Sequence, residues 1–158
     1  MDLKSKSHAI THAALRLAHD EMRAELVRAT MEPGPIGEAA MRVADLCLPH
    51  FETEERIVFP AFALLEDLAL GAVRPEMAEF LPLISAFSAQ REAMAHQHHL
   101  ILSAVAQLRQ AAHREEIREY AEFAYGLTVH EKIEDEVIFP TLILIGRNIR
   151  QNLGMPPT

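Results

Sequence analysis

Cysteine is nearly missing from this chain. Among 158 residues there is one, Cys47, so no internal disulfide can form. Basic charge is also short, with 15 Lys and Arg against 23 Asp and Glu and a formal net charge of −8. That balance excludes nucleic acid and anionic membrane surfaces as partners, because phosphates would be repelled. No apolar run approaches the roughly 18 residues that a bilayer-spanning helix needs. The opening MDLKSKSHAITHAAL has basic residues but neither a continuous apolar stretch nor a small-residue cleavage site, so it does not read as a signal peptide. The expected setting is a soluble, reducing, cytoplasmic one. Alternation of apolar and polar residues at a period of two, the mark of strands, is missing as well.

What is present is helix-forming. Apolar residues make up 49% of the chain, enough for a packed core and too many for disorder. They recur at spacings of three and four. The punctuation predicts helices over residues 7–30, ended by Pro33, Gly34, Pro35 and Gly37, and over 38–59, ended by Pro60. A shorter apolar piece covers 61–70. A long helix follows over 75–111, kinked or restarted at Pro82, and another over 114–139, ended by Pro140. A last amphipathic segment, 141–153, either caps the others or forms a contact between two copies of the chain. Short connections between long helices predict one all-α domain, an up-down antiparallel four-helix bundle over about 7–140 with a short extra C-terminal helix.

Within that frame stands a repeat. Residues 50–60 read HFETEERIVFP and residues 130–140 read HEKIEDEVIFP, with His, Glu, Phe and Pro at matching offsets. His and Glu at i and i+4 lie one turn apart on one face of a helix. His50 and Glu54 continue the apolar stripe Val43, Cys47, Ile57; His130 and Glu134 continue Ile117, Ala124, Leu127, Val137. Both pairs therefore point inward. Two buried carboxylates would cost several kcal/mol each without partners, and a pair of cations removes that cost. Carboxylates can be shared by two ions while imidazoles fill terminal positions, and mixed nitrogen and oxygen ligation suits iron or manganese.

The other two long helices offer candidates of their own. His19 on the first lies at a depth similar to that of His50, whereas His12 falls about 10 Å further along. In the cluster His96-Gln97-His98-His99 the stripe Ile84, Phe87, Met94, Ile101, Val105 selects His98, with His99 and His96 in reserve. Glu52, Glu55, Glu131, Asp135 and Glu136 read as solvated faces or as supports behind the ligands, of which Glu55 and Asp135 are placed to hydrogen-bond a ligand imidazole. Met22 and Met94 read as core filling. Cys47, one turn before His50, reads as a small buried hydrophobe or as a thiol that modulates the centre.

This set, His19, then His50-x-x-x-Glu54-Glu55 ending in Phe-Pro, then His98, then His130-x-x-x-Glu134-Asp135 ending in Phe-Pro, resembles the hemerythrin-like (HHE cation-binding) family over about 13–140. The resemblance implies an oxo- or hydroxo-bridged di-iron centre with His19, His50, His98 and His130 as terminal ligands and Glu54 and Glu134 as bridging carboxylates. It also implies a small diatomic or peroxide partner, O2, H2O2 or NO, together with an electron donor that the sequence does not name. The oxygen carriers of the family use two histidines one turn apart on the third helix. Here the residues four before and four after His98 are Met94 and Leu102. The missing ligand opens a coordination position and favours redox turnover, such as catalase-like peroxide decomposition, over reversible carriage; Tyr120, Tyr125 or a water would fill the gap instead. The other readings are an iron- or oxygen-sensing module without turnover and a structural or zinc-binding helical bundle.

Overall fold

A computed structural model of the chain describes residues 3–156, with side chains described over 13–156. His12 lies outside the described side chains. Among the described residues the secondary structure is helical, with no strand. Helix α1 (Leu3–Thr30) leads through a tight turn into α2 (Pro35–Ile57). Gly34 takes a left-handed conformation in that turn (φ 72°), and Pro35 opens α2, where its missing N–H has no partner to lose. One turn later the loop backbone folds against the helix. A Cβ on Gly37 would lie 1.9 Å from the Glu32 carbonyl oxygen. Gly37→Ala is therefore expected to destabilise the fold by about 3 kcal/mol or more, since backbone must move to relieve the clash. Chemical denaturation reads this directly, and a loss under about 0.5 kcal/mol would show that the turn is not held in this form.

The repeat ends differently in its two copies. After α2, the first Phe-Pro starts the short helices α3 (Phe59–Phe62) and α4 (Leu65–Ala69). Arg74, before a proline and extended as that position favours, then enters a 3₁₀ turn over Pro75–Phe80 and α5 (Leu81–Arg114). The restart expected at Pro82 falls at the first turn of α5. In the second copy the helix was expected to stop at Pro140, and it does not. Helix α6 (Arg118–Ile133) widens into one π-helical stretch, Glu134–Ile138, and runs on as α7 (Phe139–Asn152), with Pro140 in its first turn. The wider turn shifts the register. Val137, expected inward, is 54% exposed, while its counterpart Ile57 is buried.

Helix α1 packs on α2, α2 on α5, α5 on α6, and α6 touches α1; α7 lies on α5 and on the 3₁₀ turn. Leu142, Ile145 and Ile149 of α7 are buried, so the last segment closes over the helices as a cap. Two apolar clusters result. One gathers Leu26, Val43, Cys47, Phe51, Ile101, Val105 and Leu127. The other gathers Val58, Phe59, Phe87, Met94, Phe139 and Leu142. In α2, α5 and α6 the boundary between the two falls at the same kind of residue: His50 and Glu54, His98, His130 and Glu134.

Candidate metal centre

At this boundary lie the buried polar side chains His19, His50, Glu54, His98, Glu131 and Glu134, each at 2% exposure or less, with His130 beside them. They form two clusters of potential metal donors. One comprises His19, Glu54, His130 and Glu134; the other comprises His50, His98, Glu131 and Glu134. Two carboxylates face both. Glu134 turns Oε1 toward His130 Nε2 (2.9 Å) and His19 Nε2 (3.6 Å), and Oε2 toward His98 Nε2 (3.6 Å) and His50 Nε2 (3.8 Å). Glu54 places Oε2 3.6 Å from His19 Nε2 and Oε1 3.4 Å from His50 Nε2.

The imidazoles are oriented from behind. His19 Nδ1 donates to Glu55 Oε1 (3.1 Å), His98 Nδ1 to Asp135 Oδ1 (2.8 Å), and His50 Nδ1 to Gln97 Oε1 (3.2 Å). Such bonds fix the tautomer and leave Nε2 with its lone pair aimed into the centre. Arg23 (2.7 Å) and Arg16 (3.3 Å) hold Glu55 in turn, and against desolvation Arg23 and His19 keep its carboxyl below the usual range. The repeated phenylalanines serve matching roles. Phe59 packs against His19, with ring centroids 4.8 Å apart, and Phe139 stacks on His98 at 5.1 Å. The two halves are thus related by an approximate exchange of His19 with His98 and of His50 with His130.

The chemistry of this donor set fits a cation. The Nε2 atoms of His50 and His98 stand 2.9 Å apart and those of His19 and His130 3.2 Å apart. With Nδ1 protonated on both His50 and His98, their Nε2 lone pairs would repel unless a positive species lay between them. None of the six carboxylate oxygens of Glu54, Glu131 and Glu134 has a hydrogen-bond partner of acceptable geometry. Orphaned buried acceptors at this density are rare in folded chains and call for an explanation such as an ion. The buried His and Glu groups can hold metal; which metal is a separate question.

Without a cation, protons do part of that work. Desolvation opposes charge on His50, yet Glu134 and Glu54 outweigh it and push the imidazole up to about 11. Burial, with the neighbouring Glu134 charge, raises Glu54 well above the usual range and Glu131 to about 8. Desolvation also acts on Glu134, but the surrounding imidazoles hold it well below that range. His98 is lowered by burial and by the charge on His50. The signs decide the pH response. His50 and Glu131 bind protons more tightly folded than unfolded, so their contribution to stability falls as pH rises. The lowered His98 and Glu134 contribute stability that is lost only as pH falls, below 6.5 and 4.5 respectively. Between pH 6.5 and about 8 only the falling contributions titrate. The chelator-treated protein should therefore melt at a lower temperature near pH 8 than near pH 6.5. A melting temperature that rises over this window would contradict the protonation of these groups.

All six donors expected from the sequence are brought together: His19, His50, Glu54, His98, His130 and Glu134. The reserve residues are not, since His96 and His99 are exposed. Neither tyrosine reaches the centre. Tyr120 donates to Glu32 Oε1 (2.8 Å), and Tyr125 is exposed beneath Arg109. Cys47 is buried, and its thiol is pushed up by desolvation and by nearby carboxylates, which keeps it protonated. One donor was missed. Glu131, expected on a solvated face or behind the ligands, is fully buried in the His50/His98 cluster, with Oε2 3.5 Å from His98 Nε2. Its counterpart in the repeat is Phe51, which stacks on His19 at 4.1 Å. The His50/His98 half therefore has an extra carboxylate where the His19/His130 half has a phenyl ring.

Access differs between the halves too. A largely apolar pocket of about 240 Å³, lined by Ala14, Leu15, Ala18, Phe59, Ile133 and Ile138, includes His130 and Glu134 among its walls. His130 is the most exposed of the four imidazoles, at 15% of its side chain. The chain matches no protein-family model, no curated protein and no solved structure.

Proposed function

We propose that this chain is a non-haem di-iron protein of hemerythrin-like type, an up-down four-helix bundle that binds or turns over O2, H2O2 or NO. The observation that carries the reading is the pair of shared carboxylates: Glu54 and Glu134 each present one oxygen to His19 and the other to His50. One ion would need neither carboxylate to face two ways. His19, His130, Glu54 and Glu134 would hold one ion, and His50, His98, Glu131, Glu54 and Glu134 the other. Three carboxylates against two divalent ions leave one positive charge, which suits an anionic or reducible small ligand. Zinc usually takes four ligands, so the seven inward donors fit a pair of ions better than a single zinc.

A bound iron pair would supply the electron transfers that O2, peroxide or NO chemistry needs. The protein supplies the rest. Glu55, Asp135 and Gln97 hold three imidazoles in the ligating tautomer. Phe51, Phe59 and Phe139 keep bulk water from the donors. Glu131 completes the His50/His98 half, so a small ligand is directed to the His19/His130 half, which the apolar pocket reaches. If the protein turns over, peroxide decomposition is the reaction that asks least of it, since it needs no organic substrate.

Metal content per chain, read together with the optical spectrum of aerobically purified protein, tests this. The expected result is about two irons per chain, with near-ultraviolet bands that change on adding peroxide or NO. Two manganese ions would keep the centre and replace its metal. One zinc ion, or no metal after anaerobic iron loading, would overturn the reading.

A further inference from the structure

Away from the centre, a second concavity of about 220 Å³ opens between α5 and α7, with Arg91, Arg147, Arg150, Ser85 and Ser88 among its lining residues. Its composition runs against the rest of the molecule. The chain carries a net charge of −8, yet three arginines line this concavity and no carboxylate does. Five arginines are paired with carboxylates, Arg16 and Arg23 with Glu55, Arg28 with Glu25 and Glu119, Arg74 with Asp67, and Arg118 with Glu122, while Arg42, Arg56, Arg109 and Arg114 lie apart from one another without an ion pair among the described residues. Among the described residues Arg91, Arg147 and Arg150 make no ion pair. Arg150 Nη2 instead donates to Ser85 Oγ at 3.4 Å.

The frame beneath these groups is stiff. Ser85, Ser88 and Arg91 recur at every third residue of α5, and Arg147 and Arg150 stand three apart on α7, so each set shares one helix face. The helices meet so closely that a Cβ on Gly146 would lie 2.8 Å from Ile84 Cγ2. Ile84 and Ile143 contribute apolar surface to the same concavity.

We propose that this concavity binds a small organic phosphate monoester, with the phosphate on the three guanidinium groups and the Ser85 hydroxyl, the Ser88 hydroxyl being given to the Ile84 carbonyl oxygen (2.9 Å), and the apolar part against Ile84 and Ile143. Guanidinium forks match phosphate oxygens in pairs, and an unpaired cationic cluster in an otherwise acidic molecule concentrates small anions. The volume exceeds the ~150 Å³ that accommodates a benzene ring, so it admits more than inorganic phosphate. Long polyanions are disfavoured by the acidity of the remaining surface. The site is independent of the metal centre, and so is its test.

Phenyl phosphate and inorganic phosphate serve as probes for the full-length protein at low ionic strength, followed by amide NMR shifts and calorimetry. Phenyl phosphate should shift the amides of residues 84–91 and 143–150, and Arg147→Gln with Arg150→Gln should weaken it by about tenfold or more. Arg118→Gln, at an exposed pair elsewhere, should leave the affinity unchanged, and the double variant should keep its metal content and melting temperature. Shifts centred on another face, or affinity untouched by the double variant, would overturn the site. Equal affinity for inorganic phosphate would overturn the ester as its ligand, and binding no tighter than chloride would overturn any phosphate selectivity.

Discussion

Replacing Glu134 with alanine is expected to reduce bound metal to almost none, whereas Glu131→Ala should weaken binding only at the His50/His98 half, by about tenfold or more. The difference follows from where the oxygens point. Glu134 gives Oε1 to the His19/His130 half and Oε2 to the His50/His98 half, so its removal takes a donor from both. Glu131 belongs to the His50/His98 cluster alone. Losing it removes the extra carboxylate of that half and leaves the other donor set intact. Glu136→Ala, in the same stretch but exposed, provides the control and should retain full metal. Metal analysis after gel filtration separates these outcomes. Full occupancy in Glu134→Ala would mean that the shared carboxylate is not a ligand, and equal losses from both variants would dissolve the distinction between the halves.

A second large effect concerns the protein stripped of metal. Glu131→Met should make the metal-free chain more stable by about 1–3 kcal/mol while weakening metal binding. Buried ionisable groups usually lose stability when truncated because a partner is left orphaned. Here the orphan is the carboxylate itself: both Glu131 oxygens are buried without a hydrogen bond, and the side chain holds its proton up to about 8. Methionine keeps the length of the side chain and removes the buried carboxyl group. For a domain of this size the gain corresponds to a melting temperature about 2–12 °C higher in chelator. A purely structural role for Glu131 predicts the opposite sign, so a lower metal-free melting temperature would count against a metal site.

Much of this centre is legible in the sequence because the repeat writes its key residues twice. His50 with Glu54 and His130 with Glu134 are fixed by spacing and by the phase of the surrounding stripe, and the same stripe picks His98 from three adjacent histidines. Glu55 and Asp135, read as supports for imidazoles, do hydrogen-bond His19 and His98. Glu131 escaped because the inward face was drawn too narrowly. It lies about 100° from His130 and 60° from Glu134, within the arc that a buried helix face covers. A signal was available: Phe51, at the same offset in the first copy, is apolar, and an inward phenylalanine marks that offset as inward in both. The exposure of Val137 had no such signal. It depends on the π-helical stretch from Glu134 to Ile138, and nothing in the residue pattern distinguishes that stretch from its α-helical counterpart. The straight run through Pro140 has the same origin, since a proline that could end one helix can equally open the next.

The placement of the donors also bears on biosynthesis. The His19/His130 cluster takes His19 from α1 and Glu54 from α2, but His130 and Glu134 from the last third of the chain; the other cluster joins His50 of α2 to His98, Glu131 and Glu134. Neither cluster can be assembled from residues before α6. A nascent chain therefore lacks two donors of each cluster, and any metal held there would be loaded only after synthesis has passed Glu134. An ion bound there would thus meet a nearly finished fold, which would give folding the first say over which metal fits.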